Sequence, residues 1–340
     1  VLVAGAGGGF DVYAGLPIYE RLRSMEKTVF LANLSFAQLR ATTAVELHPA
    51  LFEVNLNTKG EDLYFPERSL ARFLSQGGQE FPAVYAIDNV GAEPVREAYA
   101  HLVSMLDLDA VVLVDGGTDI LLRGDELSLG TPAEDAVSLS AVHSLAIPTR
   151  IVACLGFGVD AFHGVCHANW LENVAGLVGS GASLGAVMLL PNMPEVQVYL
   201  DAVAHAELET KSRASIVNGS IASAIEGQFG DFHRSPRTRS SELFISPLMS
   251  LLWMFDLEGV AKRNLYLDTL RETKTNRKVL LAIEEFQATV RSRPPETDPL
   301  LRRRTQQTVS SEKPVRSEIP RGQSEPLRSA SHKTLSNHGC

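Results

Sequence analysis

The chain has 340 residues, 45% hydrophobic and 21% charged, with a net charge of −9. That is globular composition, with length for one large domain or two modest ones. The charge is uneven: residues 291–340 hold ten Lys/Arg against five Asp/Glu, which leaves −14 on the rest, and an acidic body argues against a general nucleic-acid surface. Three cysteines without a Cys-x-x-Cys pair are not a disulfide framework and fit a reducing, cytoplasmic setting. No run approaches the roughly 18 apolar residues of a membrane span, and no charged segment ahead of an apolar one marks a signal peptide.

The chain opens with an apolar strand, residues 1–4, that runs into four glycines in five positions, Gly5, Gly7, Gly8 and Gly9, and then Asp11. Backbone N–H groups in such a loop can approach an anion, and a following helix adds its positive end. A tight strand-to-helix turn is the alternative. Further short apolar runs, at 28–32, 83–87, 110–114, 150–154 and 186–190, read as strands covered on both faces. Helical patterns separate them at 16–24, 67–75, 93–106 and 132–145, the last with Thr131 as N-cap, Pro132 at N1 and Glu134 at N3. Residues 34–64 fit a short helix and an extra edge strand around 52–56. This βαβα order implies a doubly wound, mostly parallel Rossmann-like α/β sheet over residues 1–195. Residues 196–290 read as a helical cap, with helices at 196–209, 216–225, 242–255, 257–270 and 276–290. The Ser-, Pro- and Arg-rich tail 291–340 reads as disordered.

Ligands of open parallel sheets bind beyond the carboxyl ends of the strands. The residues expected there are Asn33 and Ser35 after the second strand, and Asp88 and Asn89 after the third. Asp115, Gly116, Gly117, Thr118 and Asp119 follow the fourth. Gly156, Gly158, Asp160 and His163 follow the fifth, and Pro191 and Asn192 the last. Turn chemistry alone favours Gly, Asp and Asn, but their recurrence along one edge points to a ligand edge.

The glycine loop lacks the third glycine of a dinucleotide fingerprint, Asn33 stands where a ribose-binding acid is expected, and no Gly-Lys-Ser/Thr follows; NAD and a P-loop are both poor fits. Asp11 would repel a phosphate directly but suits a bridging metal. With Asp115 and Asp119, four apart around two glycines, it supplies the oxygen ligands that Mg²⁺ takes, and Asp115 or Asp119 could instead serve as a base. An Asp-rich turn capping the next element is the alternative. If helical, residues 160–167 put His163 and His167 on one face, with Asp160 a turn earlier, competent for a transition metal; Gly164 weakens that helix. His163 as an acid or base, Cys166 as a nucleophile, and histidines without chemistry are the other readings. The basic segment His233, Arg234, Arg237 and Arg239 could fold over the edge as an anion-binding lid or be a solvated loop.

Together, Val3–Asp11 with Gly15-Leu-Pro17, Val114–Asp119 with Gly124-Asp-Glu126, Gly130–Asp135 and Leu155–Asp160 resemble the family known as domain of unknown function 1152, over about residues 1–270. The resemblance implies a Rossmann-like α/β protein and carries no reaction. The expectation from the residues is an enzyme, a hydrolase or transferase with possible Mg²⁺ dependence, acting on a phosphorylated or nucleotide-like small anion. Asp115, Asp119 and His163 are the catalytic candidates, and Asp11, Asp115 and Asp119 the metal ligands. A non-catalytic nucleotide or sugar-phosphate sensor is the alternative, and a scaffold working through the helical half and tail a third.

Overall fold

The structure is a computed structural model that describes residues 1–60, 64–76, 83–210, 213–241 and 243–294. The expectation for the tail beyond residue 294 lies outside the described residues. The strands are β1 (Leu2–Gly5), β2 (Phe30–Ser35), β3 (Val45–His48), β4 (Leu51–Val54), β5 (Val84–Asp88), β6 (Ala110–Asp115), β7 (Thr149–Cys154), β8 (Ser183–Met188), β9 (Gly230–Asp231), β10 (Phe244–Ile245) and β11 (Leu251–Asp256). The helices are α1 (Asp11–Ala14), α2 (Leu16–Ser24), α3 (Pro66–Leu74), α4 (Ala92–Met105), α5 (Pro132–His143), α6 (His167–Gly179), α7 (Pro194–Thr210), α8 (Ile216–Ile225), α9 (Leu257–Arg263), α10 (Leu267–Leu270) and α11 (Asn276–Thr289).

Nine strands form one sheet in the order β3-β4-β5-β2-β1-β6-β7-β11-β8. The central run β5-β2-β1-β6-β7 is parallel throughout. β4 and β11 run against it at the two sides. β1, β6 and β7 are nearly all apolar because both faces of the sheet are covered. Along β1, Leu2 and Ala4 join a core with α4, α5, α6 and α9, whereas Val3 joins a core with α2, α3, α7 and α8. Each fully buried aliphatic side chain in these layers contributes about 1.5–3 kcal/mol.

The chain moves from β1 outward through β2 to β5, then returns to place β6 on the other flank of β1. Connections therefore leave β1 and β6 in opposite directions, and a crevice opens beyond their carboxyl ends. The loop after β1 and the loop after β6 meet there.

Several local expectations change. Of the helix expected over 242–255, residues 243–255 are described and do not form one: after Ser246-Pro247 a short 3₁₀ turn leads into β11, inserted antiparallel between β7 and β8. Leu-Leu-Trp-Met-Phe is a continuous apolar run whose periodicity cannot separate a buried strand from a helix. Residues 257–270 split into α9 and α10 because Asn264 is extended. The edge strand expected near 52–56 is β4, with β3 outside it, and the short helix before them is a 3₁₀ turn, Leu39–Ala41. β8 is not covered on both faces; it is the outermost strand, and Leu184, Val187 and Met188 are exposed. Thr131 sits at the N-cap of α5 without capping it, since its backbone N–H and hydroxyl both donate to Asp119.

Candidate functional site: a buried carboxylate cluster

β1 ends at Gly5, level with Val114 of β6, and the N–H of Ala6 donates to the Val114 carbonyl at 2.8 Å. The chain then turns through the glycines so that Asp11, the first residue of α1, points back into the loop and accepts the Gly7 N–H at 2.7 Å. β6 ends at Asp115, whose carboxylate accepts the N–H groups of Gly117 at 2.6 Å and Ile120 at 3.2 Å. Asp119 accepts the Thr131 N–H at 2.7 Å, and Asp160 accepts the Thr118 N–H at 2.8 Å. Asp135 enters from the first turn of α5, which the Ser138 hydroxyl fastens to the Ala6 carbonyl at 2.7 Å. Carboxylate oxygens of Asp11, Asp115 and Asp135 lie within 4.8 Å of one another.

The glycines make this approach possible. A Cβ at Gly7 would lie 2.7 Å from Asp11 Oδ2 and 2.8 Å from Asp135 Oδ1, and one at Gly116 would lie 2.8 Å from Asp11 Oδ1. The loop therefore closes on carboxylates, and the expected open cradle is altered: the Gly7 amide is already engaged by Asp11. α1 has only four residues and passes through Gly15 into α2, so no long helix stands behind the loop.

Burial dominates the electrostatics. Desolvation disfavours the charged forms, and the carboxylates repel one another. Asp11 is pushed up to about 8 and Asp160 to about 7, each chiefly by burial. Asp115, Asp119 and Asp135 are raised for the same first reason. Among the described residues, none of the five takes part in an ion pair, and Asp135 Oδ1 has no hydrogen-bond partner although the residue is buried. Buried charges are ordinarily paired or bound to metal. A set of hard carboxylate oxygens suits Mg²⁺, Ca²⁺ or Mn²⁺ rather than a thiophilic metal, and Asp11, Asp115 and Asp135 fit as its holders.

The other expected residues divide. Gly156 packs against the Gly116 carbonyl, and Gly117 against Asp160 and Asp115. His163 is exposed at the rim, near enough to Asp119 for its charge to favour the carboxylate. It does not share a helical face with His167: a 3₁₀ turn, Val159–His163, ends at Gly164 with φ +83°, and His167 begins α6. That arrangement corrects the His163/His167 metal pair. Gly158 and His167 face a separate cleft. Asn33 lies under the glycine loop, where its amide donates to the Gly9 carbonyl at 2.8 Å and to Glu67 at 2.7 Å, and Ser35 accepts the Ala37 N–H. Asp88 pairs with Arg40, and Asn89 links Glu134 to Asn276. These two serve the packing of loops instead of the cluster.

Pro191 and Asn192 follow β8, which β11 and β7 separate from β6. Burial raises the Cys154 thiol, as expected of an inert core cysteine. In the basic segment, Arg234 is held between Glu207 and Glu226, and His233 by Asp231 and Thr238. Arg239 is exposed. Arg237 bonds the Ala214 carbonyl and lies near the Tyr64 phenol, as does Arg213.

Asp135 is the cluster member that the strand-end argument missed, because it comes from a helix. Its signal was the Gly130-Thr-Pro-Ala-Glu-Asp135 segment, read only as a helix start and as part of the family resemblance. Glu67 is a second omission. It is fully buried beneath Asn33 and pushed up to about 7 by burial.

Fold and site together define an α/β protein with a large, mostly parallel sheet and a buried carboxylate cluster at its topological switch. The chain belongs to the family described as protein of unknown function (DUF1152), whose profile matches residues 38–288. That match contains Asp115, Asp119, Asp135 and Asp160 and begins after Asp11. No curated protein and no solved structure matches the chain. Among the described residues no helix is long and apolar enough to cross a membrane.

Proposed function

We propose that the chain is a divalent-cation-dependent hydrolase or transferase acting on a small phosphorylated or nucleotide-like molecule. One observation carries this reading: five carboxylates converge at the strand ends with no Lys or Arg ion pair among the described residues, and one of them keeps an unpartnered buried oxygen. Asp11, Asp115 and Asp135 would hold Mg²⁺, which when bound neutralises phosphate oxygens and acidifies a coordinated water. Asp119 and Asp160, held by Thr131 and Thr118, face the same crevice, and a carboxylate with a raised pKa suits a general base. In this reading the exposed His163 at the rim would be the group that relays protons. Tyr64 sits over Gly9, whose Cβ position is 2.6 Å from the phenol oxygen, and Arg213 and Arg237 are near enough to stabilise negative charge on it. That rim supplies the positive field an anionic substrate needs.

The test is turnover with phosphosugars and nucleotides, followed by phosphorus NMR with Mg²⁺ and with a chelator. The proposal expects chelator-sensitive product formation that falls at least a hundredfold in Asp135→Asn while the thermal transition persists. Turnover that survives both the chelator and Asp135→Asn would refute it.

A further inference from the structure

The loop that supplies Asp160 to the cluster also walls a cleft of about 960 Å³. Phe157, Val159 and Phe162 line it together with Leu243, Phe244 and Leu248, which lie in and around β10. Two of these aromatics are spread into solvent: Phe162 is 73% exposed and Phe244 62%. Phe244 is braced edge-on by Phe229, with centroids 5.3 Å apart, and the His167 ring lies 4.8 Å from Phe157. Exposed, mutually braced rings beside a cavity do little for the stability of the fold; they offer flat faces to a flat ligand.

The polar groups lining the cleft are His167, Asp231 and serines, which can donate to and accept from ring nitrogens and carbonyls. Lys and Arg are absent from the described lining, so the cleft suits a neutral group better than a phosphate. Its volume lies in the range of small-ligand sites, about 300–1,000 Å³. Val159 and Ala161, which line it, are the chain neighbours of Asp160, with adjacent Cα atoms about 3.8 Å apart. The 3₁₀ turn Val159–His163 thus borders the cleft and supplies Asp160 to the cluster. We infer that this cleft takes the heteroaromatic base of a nucleotide whose phosphate lies at the carboxylate cluster. The assignment of the phosphate rests on the metal-dependent reading above; that of the base does not.

The chain has two tryptophans, Trp170 and Trp253. Trp170 lies 4.8 Å from Phe157 and 5.3 Å from Trp253, so intrinsic fluorescence reports on the cleft. The experiment titrates the full chain with the four common ribonucleosides without metal, then with their 5′-monophosphates and with ribose 5-phosphate in Mg²⁺. At least one nucleoside is expected to bind and shift the fluorescence, and its monophosphate to bind at least tenfold more tightly than ribose 5-phosphate. Phe162→Ala combined with Phe244→Ala should weaken that nucleoside at least tenfold and leave Mg²⁺ affinity, measured by calorimetry, unchanged. A nucleoside that binds to a chain with no Mg²⁺ affinity would uphold the cleft and refute the metal reading. Failure of all four nucleosides, or a double variant that binds as well as the parent, would overturn the assignment.

Discussion

Replacing Asp135 by Asn removes one charge from the cluster and keeps its shape. The oxygens of Asp135 lie within 4.8 Å of those of Asp11 and Asp115. At an effective dielectric of about 20, two full charges at that distance repel by about 3.5 kcal/mol. Protonation relieves most of this at neutral pH, because burial raises all three carboxyls. The native state therefore binds more protons than the unfolded chain above about pH 4, the ordinary carboxylate range. Metal-free stability is full below that pH and declines as pH rises toward the native value, about 8 for Asp11. An amide at 135 donates to its neighbours at any pH. Asp135→Asn should then leave stability nearly unchanged near pH 4 and raise it by about 1–3 kcal/mol at pH 9, or roughly 1–5 °C in Tm. In Mg²⁺ the order reverses, because the parent gains ligand stabilisation and the variant loses a carboxylate. Thermal melts from pH 4 to 9, with and without Mg²⁺, read both effects. A variant less stable than the parent at pH 9 without metal would show that repulsion among these carboxylates does not limit stability.

Three further outcomes follow from other parts of the structure. Gly117→Ala would put a Cβ 2.8 Å from Asp160 Oδ2 and 3.2 Å from Asp115 Oδ1; a loss of about 1–3 kcal/mol in denaturant unfolding is expected, with Mg²⁺ binding abolished. Glu67, pushed up to about 7 from an ordinary 4.5, contributes stability that is full at low pH and is lost as pH rises through about 7. Glu67→Gln should accordingly match the parent at pH 4 and exceed it by up to about 3 kcal/mol at pH 8, whereas Glu67→Ala leaves the Asn33 amide short of a partner and costs about 1–3 kcal/mol at pH 5. Hydrogen exchange should show amides of 252–256 protected like those of β7. Rapid exchange there, or tolerance of Met254→Pro, would contradict the insertion of β11 into the sheet.

The parallel half of the sheet was legible because β1, β5, β6 and β7 are short apolar runs punctuated by glycine and aspartate, and the two-sided burial that produces such runs is a property of the sheet centre. β11 was not, since Leu251–Phe255 has no polar residue to reveal period 2 or 3.6. β8 misled in the opposite sense, for an apolar strand is as readily an exposed edge as a covered centre when nothing local distinguishes them. In the site, Asp11, Asp115, Asp119 and Asp160 were found because each follows a strand. Asp135 was not, because the helix that carries it is brought to the crevice by tertiary packing and the clamp of Ser138 on Ala6, which no local pattern announces. Asp88 and Asn89 also follow a strand, yet they are drawn to Arg40, Glu134 and Asn276, partners 40 or more residues away in sequence that no local pattern announces. The His163–His167 spacing fits a helix face, but Gly164 in the left-handed region ends the turn between them.

The proposed divalent cation lies between Asp11, Asp115 and Asp135. Crystals of the full chain soaked in Mn²⁺ at pH 8 test it most directly, through anomalous scattering. A peak is expected between these three side chains, at about 2.0–2.3 Å from their oxygens, and none in Asp135→Asn crystals soaked in parallel. An empty cluster at saturating Mn²⁺, with the carboxylates in the arrangement described, would contradict it.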